Sequence, residues 1–173
     1  HDGTNEITAS IRVSTDNSFS LGNATHKFNT IYASTFSGTA SQAQYADLAE
    51  RFASDDSYAP GTVVALGGAE EITRVNEDLS DEVFGVVSKR AAYLMNAGAG
   101  PDETHPAIAV SGRVPVQVIG SVKKGDRLVS AGDGRARAAT KKEISPWNVI
   151  GRSLEDKLDD GVGTVEAIVK LTS

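Results

Sequence analysis

Apolar positions along the chain fall into three textures. Across residues 1–45 they come singly or in short alternations, at Ile7, Ile11, Val13, Phe19, Leu21, Phe28, Ile31, Tyr32 and Phe36. Ile11-Arg12-Val13 and Phe19-Ser20-Leu21 alternate with period two, a strand signal, and Asp16-Asn17 and Gly22-Asn23 signal turns between such pieces. The stretch holds 18 Ser, Thr or Asn and only five charged residues. No face there is long enough to bury itself. Two fates fit: a disordered linker, or an extended strand-rich segment that takes its core from identical neighbouring chains. The regular recurrence of large apolar residues favours the second.

From Gln42 to Phe52 the texture changes. The run is rich in Ala, Gln, Leu and Glu, with Tyr45, Leu48 and Phe52 at i, i+3 and i+7 and Ser41 placed to cap it. This spacing predicts a short helix, too short to stand without packing on something.

Residues 58–173 read as β. Runs of Val, Ile and Leu at Thr62–Leu66, Val83–Ser88, Ala107–Val110, Val114–Ile119, Arg127–Ser130, Val149–Leu154 and Thr164–Leu171 are separated by turns containing Gly. Short strands at this spacing argue for a barrel or sandwich. Pro115 is expected at a strand edge or bulge, and 96–106, with two Gly and two Pro, as a loop. There is also an internal echo. Pro60-Gly61-Thr62-Val63 resembles Lys124-Gly125-Asp126-Arg127, and Val83-Phe84-Gly85-Val86 resembles Val149-Ile150-Gly151-Arg152. The two halves read as either a duplicated β unit or a chance match among Gly/Val-rich strands.

Composition narrows the chemistry. The chain has 173 residues, 6% of them aromatic, so its private core is modest for its length. It has no cysteine, hence no disulfide, thiol nucleophile or Cys-based zinc site. A net charge of −6 has the wrong sign for general phosphate-backbone binding, which argues against a nucleic-acid partner. No apolar run approaches the ~20 residues that cross a bilayer, so membrane insertion is not expected. The chain opens at His1 rather than Met, as a fragment or processed chain does, so absent targeting signals say little.

Catalytic signatures are sparse: no G-x-S-x-G, no G-x-x-x-x-G-K-[ST], no H-E-x-x-H. His1, His26 and His105 are far apart, and the acidic pairs Asp55-Asp56 and Asp159-Asp160 suit solvated turns, so neither metal nor cofactor is expected. Asp47 and Glu50, at i and i+3 of the expected helix, would share a face, where one acid raises the pKa of the other. Tyr58, Tyr93 and Trp147 sit in or beside expected loops and have flat rings suited to sugar faces. Arg135 and Arg137 belong to a mildly basic stretch that could meet an acidic polysaccharide.

Two family resemblances add to this reading. Leu21-Gly22-Asn23 through Phe28-Asn29-Thr30-Ile31-Tyr32-Ala33-Ser34-Thr35-Phe36-Ser37-Gly38-Thr39-Ala40 resembles the distal repeats of tailed-bacteriophage tail fibres. Tyr45-Ala46-Asp47-Leu48-Ala49-Glu50-Arg51-Phe52 resembles the junction that follows them, and Tyr58–Val64, Gly85–Ser88, Ala92–Asn96 and Gly112–Val116 continue the likeness. It implies a homotrimeric fibre end: a β-structured shaft over 1–41, a helical neck over 42–57, and a small β-barrel or sandwich-like tip over 58–173. Such tips sit on the virion, outside the cell, and bind host surface polysaccharide or an outer-membrane component. On this reading the protein is a non-enzymatic adhesin.

The order Asp47-x-x-Glu50, then Gly85-Val86-Val87-Ser88, then Gly112-Arg113-Val114-Pro115-Val116 also resembles the autoproteolytic C-terminal chaperone domains of some phage appendages and spikes. In that family the Asp and Glu assist cleavage of the bond just before the Asp. The resemblance implies a scissile bond at Ala46–Asp47, here with Ala46 and Leu48 flanking the Asp.

Overall fold

The computed structural model describes residues 19–35 and 45–170 together with positions 11, 14, 15 and 37. The chain divides into two units, His1–Ala40 and Ser41–Ser173. In the first, the described residues form no strand or helix within the chain, so the alternation at Phe19–Leu21 makes no strand there. Arg12, Val13 and the Asp16-Asn17 signal lie outside the described residues.

The Gly22-Asn23 signal does make a turn. Gly22 has φ +79°, and Asn23 Oδ1 accepts from the backbone N–H of Thr25 (2.9 Å) and of His26 (2.8 Å). Ile11, Phe19, Leu21, Phe28, Ile31 and Tyr32 around it are exposed by 57% to 94%.

The second unit is built of ten strands: β1 (Asp47–Arg51), β2 (Val63–Leu66), β3 (Ile72–Arg74), β4 (Val83–Val87), β5 (Tyr93–Met95), β6 (Ala107–Ile119), β7 (Arg127–Gly132), β8 (Arg135–Ala138), β9 (Gly151–Ser153) and β10 (Val162–Lys170). Pairing runs β10-β9-β7-β8-β6 and returns through β10–β6, which closes a small barrel; β4, β2 and β3 extend from β6. Closure leaves β10, β9, β7, β8 and β6 without a free end strand, while β3 and β5 remain at edges. The core is packed with small branched residues rather than rings. Val63, Val114, Val116, Val118, Leu128 and Val165 are fully or almost fully buried inside one cluster. A second cluster gathers Val64, Ile72, Val87 and Ile108 against Phe52, Tyr58 and Phe84. The Phe52 and Phe84 rings meet edge-to-face at 5.2 Å.

The internal echo is structural. Gly61 and Gly125 have φ +88° and +90°, and the turns they make carry matching hydrogen bonds. Thr62 N–H reaches Ala59 O as Asp126 N–H reaches Lys123 O; Gly61 N–H reaches Val87 O as Gly125 N–H reaches Ser153 O. Further along, Val75 N–H to Val63 O is matched by Ala139 N–H to Arg127 O. Strand pairing repeats too, with β2 between β3 and β4 and β7 between β8 and β9. Chance similarity of Val-rich strands would not reproduce a register-specific hydrogen-bond set, so β2–β4 and β7–β9 are two copies of one unit.

Two sequence expectations change. The helix over 42–52 is not formed: Asp47–Arg51 is strand β1, and residues 41–44 lie outside the described set. Helix propensity is a weak prior, and β1 is paired on both edges, parallel to β5 and antiparallel to β6. The runs Ala107–Val110 and Val114–Ile119 are one long strand, continuous through Ser111-Gly112-Arg113. Pro115 is inside that strand, opposite Glu166 on β10, and on its other side no strand pairs with it, so it lies at a local edge as expected. Arg113 and Gln117 donate away from β10, to Ala46 O (3.1 Å) and Gly61 O (2.9 Å). Alternation turns the donorless nitrogen of Pro115 into the gap between those acceptors, so no ladder bond is lost. Stretch 96–106 is a loop, as expected.

Candidate functional site

β1 brings the Ala46–Asp47 peptide onto β6. Asp47 stands opposite Gly112, whose φ of +111° lets the two backbones approach closely. A Cβ on Gly112 would lie 2.1 Å from Ala46 O and 2.7 Å from Asp47 Cα, so no other residue fits here without moving this peptide. Beside it, the Arg113 N–H donates to Ala46 O at 3.1 Å.

The Asp47 side chain is buried. Its Oδ2 accepts from Ser88 Oγ at 2.5 Å and its Oδ1 from the Ala92 N–H at 3.2 Å. Burial of a carboxylate is tolerable only when such donors replace water. Ala92 N–H also reaches Asp47 O (3.0 Å), fixing both main chain and side chain of the same residue. A groove of about 740 Å³ opens on this peptide, with Tyr45, Lys89, Arg90, Arg113, Pro115 and Glu166 in its walls. Arg90 Nη1 donates to the Tyr45 hydroxyl at 2.6 Å and its guanidinium lies 5.3 Å from the ring centre.

The arrangement has recognisable chemical parts. A backbone N–H already sits on the carbonyl oxygen of the Ala46–Asp47 bond, where negative charge would develop if that carbonyl were attacked. A fixed carboxylate follows the bond directly, and an open groove with Lys89, Arg90, Arg113 and Glu166 in its walls reaches it. Glu50 does not join it within one chain. Along β1 Asp47 and Ala49 are buried while Leu48 is exposed and Glu50 half-buried, so strand alternation sends Asp47 and Glu50 to opposite faces. The helical spacing that paired them is absent.

The remaining sequence candidates are scattered. Tyr58 is half-buried, its hydroxyl donating to Asp55 and accepting from the Arg74 N–H at 3.1 Å. Burial and the Asp55 carboxylate push its phenol above the ordinary value. Arg135 pairs with Asp133 at 2.6 Å. Arg137 clamps Asp78 and Glu143, which holds the Glu143 carboxyl at about 2 with help from Thr140. These three side chains are engaged in holding the fold. Tyr93, on β5, and Trp147, in the turn before β9, are 66% and 55% exposed. Near Trp147 a second groove of about 680 Å³ has Pro146, Val149, Leu154 and Ile168 in its lining, with Lys124 and Lys170 among its charged members. Among the described residues no three His, Asp or Glu side chains converge as metal ligands.

Ser88, Ala92 and Gly112 were not legible as partners of Asp47 from spacing, since each reaches it from a different element. Their only signal was membership of the Gly85–Ser88, Ala92–Asn96 and Gly112–Val116 stretches that carry the family resemblances.

No protein-family model matches the chain, and no curated protein matches it by sequence. Solved structures do. The crystal structure of the bacteriophage phi29 gene product 12 C-terminal fragment is 17% identical, with a TM-score of 0.54 over 72% of this chain and 100% of that one. Pre-mature bacteriophage phi29 gene product 12 is 15% identical, with a TM-score of 0.54 over 73% of this chain and 22% of that one. At such identities the likeness is one of fold: this chain shares the β architecture of that C-terminal fragment.

Proposed function

We propose that the protein is a fibre-type structural component of a bacteriophage, and that its barrel is a C-terminal folding domain that severs itself from the shaft at Ala46–Asp47. The observation that carries the cleavage reading is the seating of that one peptide: pressed on Gly112, its carbonyl on the Arg113 N–H, its Asp47 carboxylate buried on Ser88 and Ala92. The reaction is hydrolysis. Water adds to the Ala46 carbonyl carbon while the Asp47 carboxylate takes its proton, and charge collects on Ala46 O against the Arg113 N–H. The C–N bond then breaks, the proton passes to the Asp47 nitrogen, and an Ala46 carboxylate and a new α-amine result. One such oxyanion donor contributes about 10²–10³ in rate.

The exposed apolar residues of the first unit, Phe19 and Tyr32 among them, support a homotrimeric shaft in which three chains supply one another's core. Denaturing electrophoresis after incubation is expected to show two unequal pieces, the larger beginning at Asp47, and Asp47→Asn is expected to abolish them. An intact chain would overturn this reading. Because Glu50 faces away from its own chain's bond, any contribution it makes goes to a neighbour. Glu50→Gln chains mixed with Asp47→Asn chains are therefore expected to be cleaved, and only the Glu50→Gln chains.

A second reading is favoured by the exposed Trp147, which follows Pro146 of the second groove in the chain: a tail-fibre tip that attaches the virion to a host-cell glycan, capsular polysaccharide or lipopolysaccharide. Flat exposed rings stack on sugar faces, and a trimer would multiply a weak site by avidity. Trp147→Ala is then expected to abolish competition by the soluble protein for host cells; unchanged competition would remove this site.

A further inference from the structure

The groove beside Ala46 is more basic than the chain around it. Lys89, Arg90 and Arg113 line it in a protein whose net charge is −6, against two lining carboxylates, Asp47 and Glu166. The Asp47 carboxylate is buried on its donors, while the three cations are exposed and none is in an ion pair among the described residues. In the intact chain they face a neutral amide. Arg90 holds the residue before it, Tyr45, and Arg113 holds the Ala46 carbonyl through its own N–H.

We propose that this groove is a binding site for a peptide C-terminal carboxylate, the one that cleavage creates at Ala46, and that it keeps the severed shaft docked on the barrel. The proposal rests on the cleavage reading. Breaking the bond places a full negative charge on Ala46, since a terminal carboxyl ionises near pH ~3.5, beside three cations that had no acidic partner. The Arg113 N–H on Ala46 O gains an ionised acceptor, and hydrogen bonds to charged groups are roughly twice as strong as neutral ones. The new α-amine on Asp47 appears next to its own carboxylate, with Glu166 in the wall of the same groove. Chain scission therefore need not release the barrel.

Because the cations are exposed, the hold is salt-sensitive: the screening length falls from ~10 Å at 0.1 M to ~3 Å at 1 M. The test uses the full chain and two readouts. Denaturing electrophoresis measures the cut; size-exclusion chromatography of the cut material measures retention. Co-elution of the two pieces at 0.05 M salt and separation at 1 M salt are expected. In cut material carrying Lys89→Glu, separation is expected at salt at least about fivefold lower. The peptide Gln-Ala-Gln-Tyr-Ala with a free carboxylate is expected to displace the shaft piece at a concentration at least about tenfold below its C-terminal amide.

If the chain is cut but the pieces separate alike at both salts, or acid and amide peptides compete equally, the carboxylate site is overturned and the cleavage reading stands. If no cut appears, both fall together.

Discussion

The two copies of the β unit differ less in backbone than in what covers them. In the first, neighbouring side chains on both faces are buried: Val63, Val64 and Ala65 on β2, and Val86 and Val87 on β4. In the second, Leu128, Val129 and Ser130 on β7 are buried in succession, but Arg127 and Arg152, which match Val63 and Val86, are exposed. The first copy is covered on one face by the second apolar cluster, in which Phe52 and Tyr58 from the segment after β1 pack with Val64 and Ile72, and on the other by the main cluster, which takes Val63 and Val86. The second puts Leu128 into the main cluster and turns Arg127 and Arg152 to the groove that Pro146 and Leu154 also line. One hydrogen-bond frame thus supports a two-sided core in one place and a solvent-facing surface in the other. The frame dictates strand positions and the side chains decide burial.

The matching glycines Gly85 in β4 and Gly151 in β9 test whether the copies are equivalent. Both copies are expected to suffer from a methyl group, and unequally. In Gly151→Ala the Cβ would meet Ile168 O at 2.2 Å, whereas in Gly85→Ala it first meets the Ile108 side chain, at 2.5 Å, then Ala109 O at 2.9 Å. Gly151→Ala is expected to cost about 3 kcal/mol or more in urea unfolding and Gly85→Ala less, about 1–3 kcal/mol, because a side chain yields more readily than a paired backbone. Equal costs would break the ranking.

Val63 and Arg127 occupy matching positions, so truncating each reads the difference in cover directly. Val63→Ala removes buried methyl groups worth about 2 kcal/mol, while Arg127→Ala, at an exposed site, is expected to stay within about 0.5 kcal/mol. The smallest effect is expected from acid and belongs to the second copy. Glu143 is held at about 2, against an ordinary value of 4.5, chiefly by Arg137, which also lowers Asp78. A carboxyl depressed in the folded state stabilises fully above its unfolded value and loses that contribution as pH falls through the folded one. Stability should therefore decline between pH 4.5 and about 2, and Arg137→Gln should flatten that decline. An unchanged slope in chemical denaturation would remove this clamp from the balance.

Much of the barrel was readable because its strands are continuous runs of branched residues between turn glycines. Each of the seven apolar runs overlaps a strand, and the repeated Gly61 and Gly125 turns pointed to duplication. The missed strands carry weak local signals. β3 is Ile72-Thr73-Arg74, β5 is Tyr93-Leu94-Met95, and β8 alternates Arg with Ala. Such segments become strands because partners lie beside them, which no local window contains. β1 is the sharpest case. Asp-Leu-Ala-Glu-Arg favours helix, yet two neighbouring strands supply its hydrogen bonds. The same misreading placed Asp47 and Glu50 together. The bond at Ala46–Asp47 was marked by resemblance, but its environment of Gly112, Arg113, Ser88 and Ala92 is assembled only by folding.

Pro115 has one more consequence. Once residues 45 and 46 leave, β6 presents the Arg113 donor at an opened edge, and the next residue facing the same way, Pro115, cannot donate. Such an edge is where a stray extended chain would otherwise zip on and seed aggregation. A proline next along that edge interrupts the ladder, so a barrel freed of its shaft stays a poor template for growing a larger sheet.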